Sequence, residues 1–259
     1  MATSDPTVKT TPAVDETGPD SSRILQTRGL RKEFGGLTAT DDVDFGLEAG
    51  ELRCLIGPNG AGKSTFLNLL TGRLEPTAGE IYYDGTDITS LPSHERVDRG
   101  ISMKFQVPSV YEGLTVAQNL RIPLQQVVEP DAFEARTSEI LERFDLLDQW
   151  ETVAGGLSHG QQQRLEIGMA MAMEPKLMLL DEPVAGLSVE ETADVADLLR
   201  KIADDDGVAL IVIEHDIDFV ETIADRVTVL DGGSIFREGS IEEIRTDPEV
   251  KRIYLGEDH

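Results

Sequence analysis

Gly57-Pro58-Asn59-Gly60-Ala61-Gly62-Lys63-Ser64 lies between an apolar run, 52–56, and a helix-like one, 66–70. In that setting it reads as a phosphate cradle. Its glycines let the backbone curl so that successive amide N–H groups face one anion, and the following helix adds the positive end of its dipole. In this pattern Lys63 reaches the β- and γ-phosphates of a nucleotide and the Ser64 hydroxyl binds Mg2+. The competing reading, a plain glycine turn, is disfavoured by the strand-then-helix context.

Working outward toward the N-terminus, 24–30 and 43–47 read as short strands around Phe34-Gly35-Gly36-Leu37, and Ala49-Gly50 turns the chain into the cradle strand. Phe34 is either a core residue or a platform for a base, and its position alone favours the core. Beyond the cradle helix, which Thr71-Gly72 closes, 79–83 and Asp84-Gly85 read as a strand entering a tight turn, completing a β-rich lobe. Residues 101–105 form a short strand ending at Gln106, and Pro108 forces an irregular segment after it. The amide oxygen of Gln106 can serve a metal or a water, although most strand-end glutamines merely face solvent. Segments 115–120 and 133–144 have helical spacing and predict a helical lobe ending near Gly155-Gly156.

In the second half, Leu157-Ser158-His159-Gly160-Gln161 opens a helix with Ser158 at the N-cap; taken alone, the stretch is better explained as an ordinary capped helix start. Met169, Met171 and Met173 read as core filling. Residues 176–182 run four apolar side chains into Asp181-Glu182, as a buried parallel strand emptying into a site. Asp181 suits the Mg2+ shell. Glu182 points the other way by strand alternation and can polarise an attacking water. The structural alternative makes both acids caps of the helix 189–203. Strand 208–213 ends at Glu214-His215-Asp216, where His215 either contacts a γ-phosphate or simply starts a helix. Segments 227–230 and 234–237, joined by Asp231-Gly232-Gly233, close the pattern as a hairpin.

At 259 residues with 39% apolar content, the chain suits one α/β domain with a small lobe. No stretch is long and apolar enough to span a membrane, and 1–22 lack the features of a secretion signal and read as a disordered tail. The single cysteine, Cys54, reads as a small buried hydrophobe, which fits a reducing cytoplasm. Acidic residues number 49 against 23 basic, for a net charge of −26, which argues against nucleic acid as a partner. These acids are spread along the whole chain, as in Asp204-Asp205-Asp206, and the expected cause is a halophilic, salt-rich cytoplasm rather than an ordinary acidic protein.

The cradle, Gln106, Leu157-Ser158-His159-Gly160-Gln161, Asp181-Glu182 and His215 occur in the order found in the ATP-binding subunits of ABC transporters, and the chain resembles that family over about residues 23–256. It is most similar to the branch that imports branched-chain amino acids and urea. That narrower likeness rests on Phe34-Gly35-Gly36-Leu37, Phe105-Gln106-Val107-Pro108-Ser109-Val110, Leu165-Glu166-Ile167-Gly168-Met169 and Ile253-Tyr254-Leu255-Gly256. His159 and Glu166-Ile167-Gly168 are similar to the urea-type members in particular.

The resemblance implies an α/β fold of P-loop NTPase type, with a mostly parallel sheet core, an antiparallel β lobe and a helical lobe at about 107–173. It implies ATP and Mg2+ as ligands, with Phe34 stacking on adenine and Gly57, Pro58, Asn59, Gly60, Ala61, Gly62, Lys63, Ser64 and Thr65 holding the nucleotide. Ser64, Gln106 and Asp181 would serve the metal, and Gln106 would also sense the membrane subunit. Glu182 and His215 would be catalytic, His215 as the switch residue. Ser158, His159, Gly160 and Gln161 would act on the ATP of the opposite subunit, with Ser158 and Gly160 gripping its γ-phosphate. Ser188, where many relatives have aspartate, is a departure that bears on contact across the dimer.

The implied protein is an ATP-hydrolysing subunit on the cytoplasmic face of the membrane. It would pair with a second ATP-binding subunit, like or unlike itself, beneath two integral membrane subunits served by an extracellular solute-binding protein. Two other activities fit the same motifs: a lipopolysaccharide-type exporter ATPase, and a soluble ABC ATPase of iron–sulfur cluster assembly.

Overall fold

The computed structural model of the chain describes residues 19–104 and 110–255. Strands β1 (Arg23–Phe34) and β2 (Leu37–Glu48) form a hairpin with Gly35-Gly36 at its tip and Phe34 paired with Leu37. Both outrun the expected 24–30 and 43–47. Their middle is bulged: the register slips between Thr27 and Leu30, and Gly29 and Asp42 take left-handed φ angles of 53° and 52°. A bulge breaks the alternation by which strands are read. Strand β3 (Leu52–Ile56) runs into the cradle and α1 (Lys63–Leu70) leaves it. Strands β4 (Ala78–Tyr83) and β5 (Thr86–Asp87) complete an antiparallel sheet of order β2-β1-β4-β5.

Next come α2 (Ser93–Asp98), β6 (Ile101–Lys104), α3 (Val116–Leu124), α4 (Phe133–Arg143) and α5 (His159–Met171). The last part holds β7 (Leu177–Asp181), α6 (Val189–Asp206), β8 (Ala209–Ile213), α7 (Ile217–Ile223), β9 (Arg226–Asp231), β10 (Ser234–Gly239), α8 (Ile241–Thr246) and α9 (Pro248–Leu255). Strands β3, β7 and β8 are buried along their whole length, as strands inside a parallel sheet should be, and the one buried cation among them, Arg53 in β3, pairs with Glu51 and Glu238. They lie in a six-stranded sheet of order β10-β9-β3-β8-β7-β6, parallel except for β10.

Alternation along these strands divides the apolar side chains between two cores. Leu55, Leu177, Leu179 and Ile211 pack with α1 and the antiparallel sheet, so α1 lies between the two sheets. There Phe66 meets Phe45 edge-on at 5.3 Å. Cys54, Met178, Leu180 and Val212 face the opposite way and share one continuous core with α3, α4, α5, α6 and α7. The helical segment therefore packs through Val116, Leu120, Leu141 and Leu165 onto the sheet itself. Met169 and Met171 fill the edge of that core, in line with the sequence reading. Cys54 is fully buried, and burial pushes its thiol far up, so it stays an inert hydrophobe.

Candidate nucleotide-binding and catalytic site

Three neighbouring parallel strands end on the same side, and each delivers one part of the site: β3 the cradle, β7 Asp181-Glu182, and β8 Glu214-His215. The carboxyl ends of such strands are where open α/β sheets bind ligands. A cavity of about 400 Å³ lies there, lined by Phe34, Leu37, Ala39, Asn59, Gly60, Ala61, Gly62, Lys63, Ser64, Thr65, Asp181, Glu182, Ile213 and His215.

The cradle is held from behind by the strands it passes. Gly57 takes φ 150°, and a Cβ there would stand 2.2 Å from the Leu230 carbonyl oxygen; Gly62 takes φ 99°, with its would-be Cβ 2.3 Å from the Ala39 oxygen. Only glycine meets both demands. Gly62 is also the N-cap of α1 and supplies no side-chain cap, so the first-turn N–H groups keep the anion-binding character of a helix start. The buried Lys63 curls over the loop, its Nζ donating to the carbonyls of Gly57 at 2.7 Å and Pro58 at 3.0 Å. Burial draws its pKa down, while the charges of Glu182 and Asp181 oppose that shift.

Phe34 settles the choice its sequence position left open. It stands at the hairpin tip, 44% exposed, with Lys32 Nζ 5.2 Å from its ring centroid, and it lines the cavity. It is therefore no part of either core, contrary to what position alone favours, and its ring is free to face the cavity.

Asp181 is buried at the end of β7 and faces the cavity. Glu182 does not point away from it, as alternation predicted. Its backbone takes a left-handed φ of 50°, which brings the carboxylate into the same cavity, with Oε1 3.3 Å from His215 Nε2. Neither acid caps α6; Ser188 does. Behind His215, Glu214 is buried and its carboxylate accepts from the N–H groups of His215 at 3.1 Å and Val184 at 3.2 Å. It ties the loop after β7 to the loop after β8. Burial raises its pKa against the lowering effect of those two bonds.

Ser64 and Asp181 are the metal candidates that can be placed; Gln106 lies outside the described residues. Among the described residues no three His, Cys, Asp or Glu side chains form a metal cluster. A hydroxyl and one carboxylate on the same cavity nevertheless fit Mg2+, which takes one or two protein oxygens together with substrate phosphates and water.

Ser158, His159, Gly160 and Gln161 are absent from the lining of this cavity. They start α5 in a full capping box: Ser158 Oγ accepts from Gln161 N–H at 3.2 Å, and Gln161 Oε1 accepts from Ser158 N–H at 3.0 Å. The ordinary helix-start reading of this stretch is thus physically present alongside any other role. Val110 is in the core, 9% exposed, whereas Tyr111 next to it is 55% exposed.

Sequence reasoning missed Glu214 as the anchor of His215, and Glu191, whose carboxylate bridges Ser188 and Gly160. For Glu191 a signal existed, since Ser188 and Glu191 have capping-box spacing.

The sequence pattern of the ABC transporter family matches residues 40–185. The high-affinity branched-chain amino acid transport ATP-binding protein BraF of Pseudomonas aeruginosa is 36% identical over 253 residues, covering 92% of this chain and 99% of its own. The corresponding protein LivG of Escherichia coli is 35% identical with the same coverage. Among solved structures, the ADP conformation of an ATP-binding cassette of an ABC transporter superposes with a TM-score of 0.84 at 33% identity, over 91% of this chain and 99% of that one. With a cradle, an Asp-Glu pair and a histidine converging on one cavity, in a chain alike these proteins almost from end to end, this protein belongs to the ATP-binding cassettes of the ABC transporter family.

Proposed function

We propose that this chain hydrolyses ATP to drive import of branched-chain amino acids, as one of two paired ATP-binding subunits on the cytoplasmic face of the membrane, beneath two integral membrane subunits that an extracellular solute-binding protein serves. The observation that carries the reading is the 3.3 Å approach of Glu182 and His215 inside a cavity that also holds the cradle, Lys63 and Asp181. The substrate class is supported by what BraF and LivG are named for. His159 and Glu166-Ile167-Gly168 favour urea or short amides as the second reading. Both lie outside the nucleotide cavity, as expected if the solute is recognised by other subunits.

In this mechanism Phe34 takes the adenine on its face, and the cradle amides with Lys63 take the phosphates. Mg2+ bound by Ser64 and Asp181 would neutralise phosphate charge. Glu182 accepts the proton of the attacking water, and His215 fixes that carboxylate and the water's position. Glu214 holds the His215 backbone in place. Ser158 and Gly160 complete the site of the opposite subunit, and Gln106 reports to the membrane subunits. Among the described residues no helix is long and apolar enough to cross a membrane, so attachment would be through those subunits.

The test is to purify the native complex, place it in vesicles and measure its ATPase with each candidate solute and the binding protein. Stimulation by leucine, isoleucine or valine is expected. Stimulation by urea alone would replace the solute, and failure of any membrane subunit to co-purify would overturn the importer reading.

A further inference from the structure

The loop 185–188, which follows the catalytic pair, ends in Ser188 at the N-cap of α6. Ser188 Oγ accepts from Glu191 N–H at 3.2 Å and Glu191 Oε2 accepts from Ser188 N–H at 3.0 Å, so this end of α6 is closed by its own residues. The second oxygen of the same carboxylate leaves its helix. Glu191 Oε1 accepts from Gly160 N–H at 3.1 Å and stands 3.4 Å from Ser158 Oγ, at the start of α5. One carboxylate thus serves two helix starts. Gly160 is what admits it, because a Cβ at that position would stand 2.6 Å from Glu191 Oε1. Hydrogen bonds from the Ser188 and Gly160 amides hold the Glu191 carboxyl below the usual carboxylate range, so it is an anion at neutral pH.

We propose that Glu191 is an internal anion seated on Ser158 and Gly160, which the nucleotide of a partner subunit has to displace before the pair of subunits can close. The proposal rests on the reading that Ser158 and Gly160 act on the ATP of the opposite subunit. The two donors are the same in both states. The Gly160 amide serves one acceptor at a time with good geometry, and a phosphate arriving beside a carboxylate is repelled by it. Displacing Oε1 disturbs a side chain whose other oxygen holds Ser188, the end of the loop that starts at Glu182. The exchange would therefore carry news of the partner's nucleotide into the loop behind the catalytic carboxylate. Glu191 acts here as a positioning residue, since it touches no reacting atom.

The experiment compares two full-length proteins, Glu182→Gln and Glu182→Gln with Glu191→Gln, by sedimentation across an ATP titration. Glutamine at 191 keeps an accepting oxygen and the capping box while losing the charge. If the carboxylate holds its seat about nine-tenths of the time, the ATP concentration at half-dimerisation falls about tenfold in the double variant. Glu191→Ala in the same background also lowers it, even where its melting temperature drops from the lost cap. A midpoint that is unchanged or raised in both overturns the proposal, because a purely structural Glu191 weakens dimers when removed. If Glu182→Gln stays monomeric at ATP concentrations that raise its melting temperature, both alone and mixed with the second ATP-binding subunit of the native complex, the opposite-subunit reading fails, and this proposal with it.

Discussion

Glu182 adopts a left-handed φ of 50°, a conformation that costs a non-glycine residue about 1–3 kcal/mol, and that turn is what faces its carboxylate toward His215. The identities of Asp181, Glu182 and His215 were legible because each ends an apolar run. The direction of Glu182 was not, since alternation stops applying at the residue where the strand stops. Glu214 was hidden for another reason: its two bonds reach a neighbouring amide and one thirty residues away, and no spacing rule links them. Its burial has a signed consequence. Its folded pKa lies above the ordinary 4.5, so above pH 4.5 the unfolded chain releases this proton first. Stability from this group is therefore present below 4.5 and declines as pH rises through the folded value. We expect Glu214→Gln to abolish that decline: denaturant midpoints measured from about pH 5 to about pH 8 should diverge in the variant's favour as pH rises. Parallel curves would mean that the Glu214 carboxyl does not titrate differently in the folded chain.

Among the elements, α1 starts at the proposed phosphate cradle, so its fixed position matters most. Its C-terminal carbonyls are held by Arg96 of α2, a fully buried guanidinium donating to Leu69 at 2.7 Å and Leu70 at 2.8 Å, and also to Leu91 and Thr89. Burial pushes its pKa down to about 10, which leaves it charged at neutral pH beside the negative end of the helix dipole. Helix α2 went unread because six residues are too few to show a period, whereas α6, eighteen residues with a serine cap, was plain. Replacing Arg96 with methionine fills similar volume but removes a buried charged donor from four carbonyls, those of Leu69 and Leu70 buried and those of Leu91 and Thr89 half-buried, so a loss of about 3 kcal/mol or more is expected. Urea denaturation would read it, with Arg96→Lys falling between. An unchanged midpoint for Arg96→Met would show that α1 is held by its apolar face alone.

For the whole molecule, the net charge of −26 sits on a single cassette, and at 0.1 M salt its self-repulsion is screened over a length of roughly 10 Å. At about 1 M that length falls to about 3 Å and self-repulsion in the folded state largely vanishes. The melting temperature should therefore climb between about 0.1 M and about 3 M KCl, and MgATP should recover part of the gain by binding the native state alone. A flat or falling melt would remove the salt-rich-cytoplasm explanation of the acidity. The larger claim concerns what the assembled parts do: three strand ends make one ATPase site, with Glu182 as its base. The most direct measurement is the ATPase rate of the chain beside that of Glu182→Gln, with nucleotide binding followed in both. The account predicts ATP binding in both proteins and a rate reduced by about a hundredfold or more in the variant. Turnover by Glu182→Gln above about a tenth of the unsubstituted rate would contradict it.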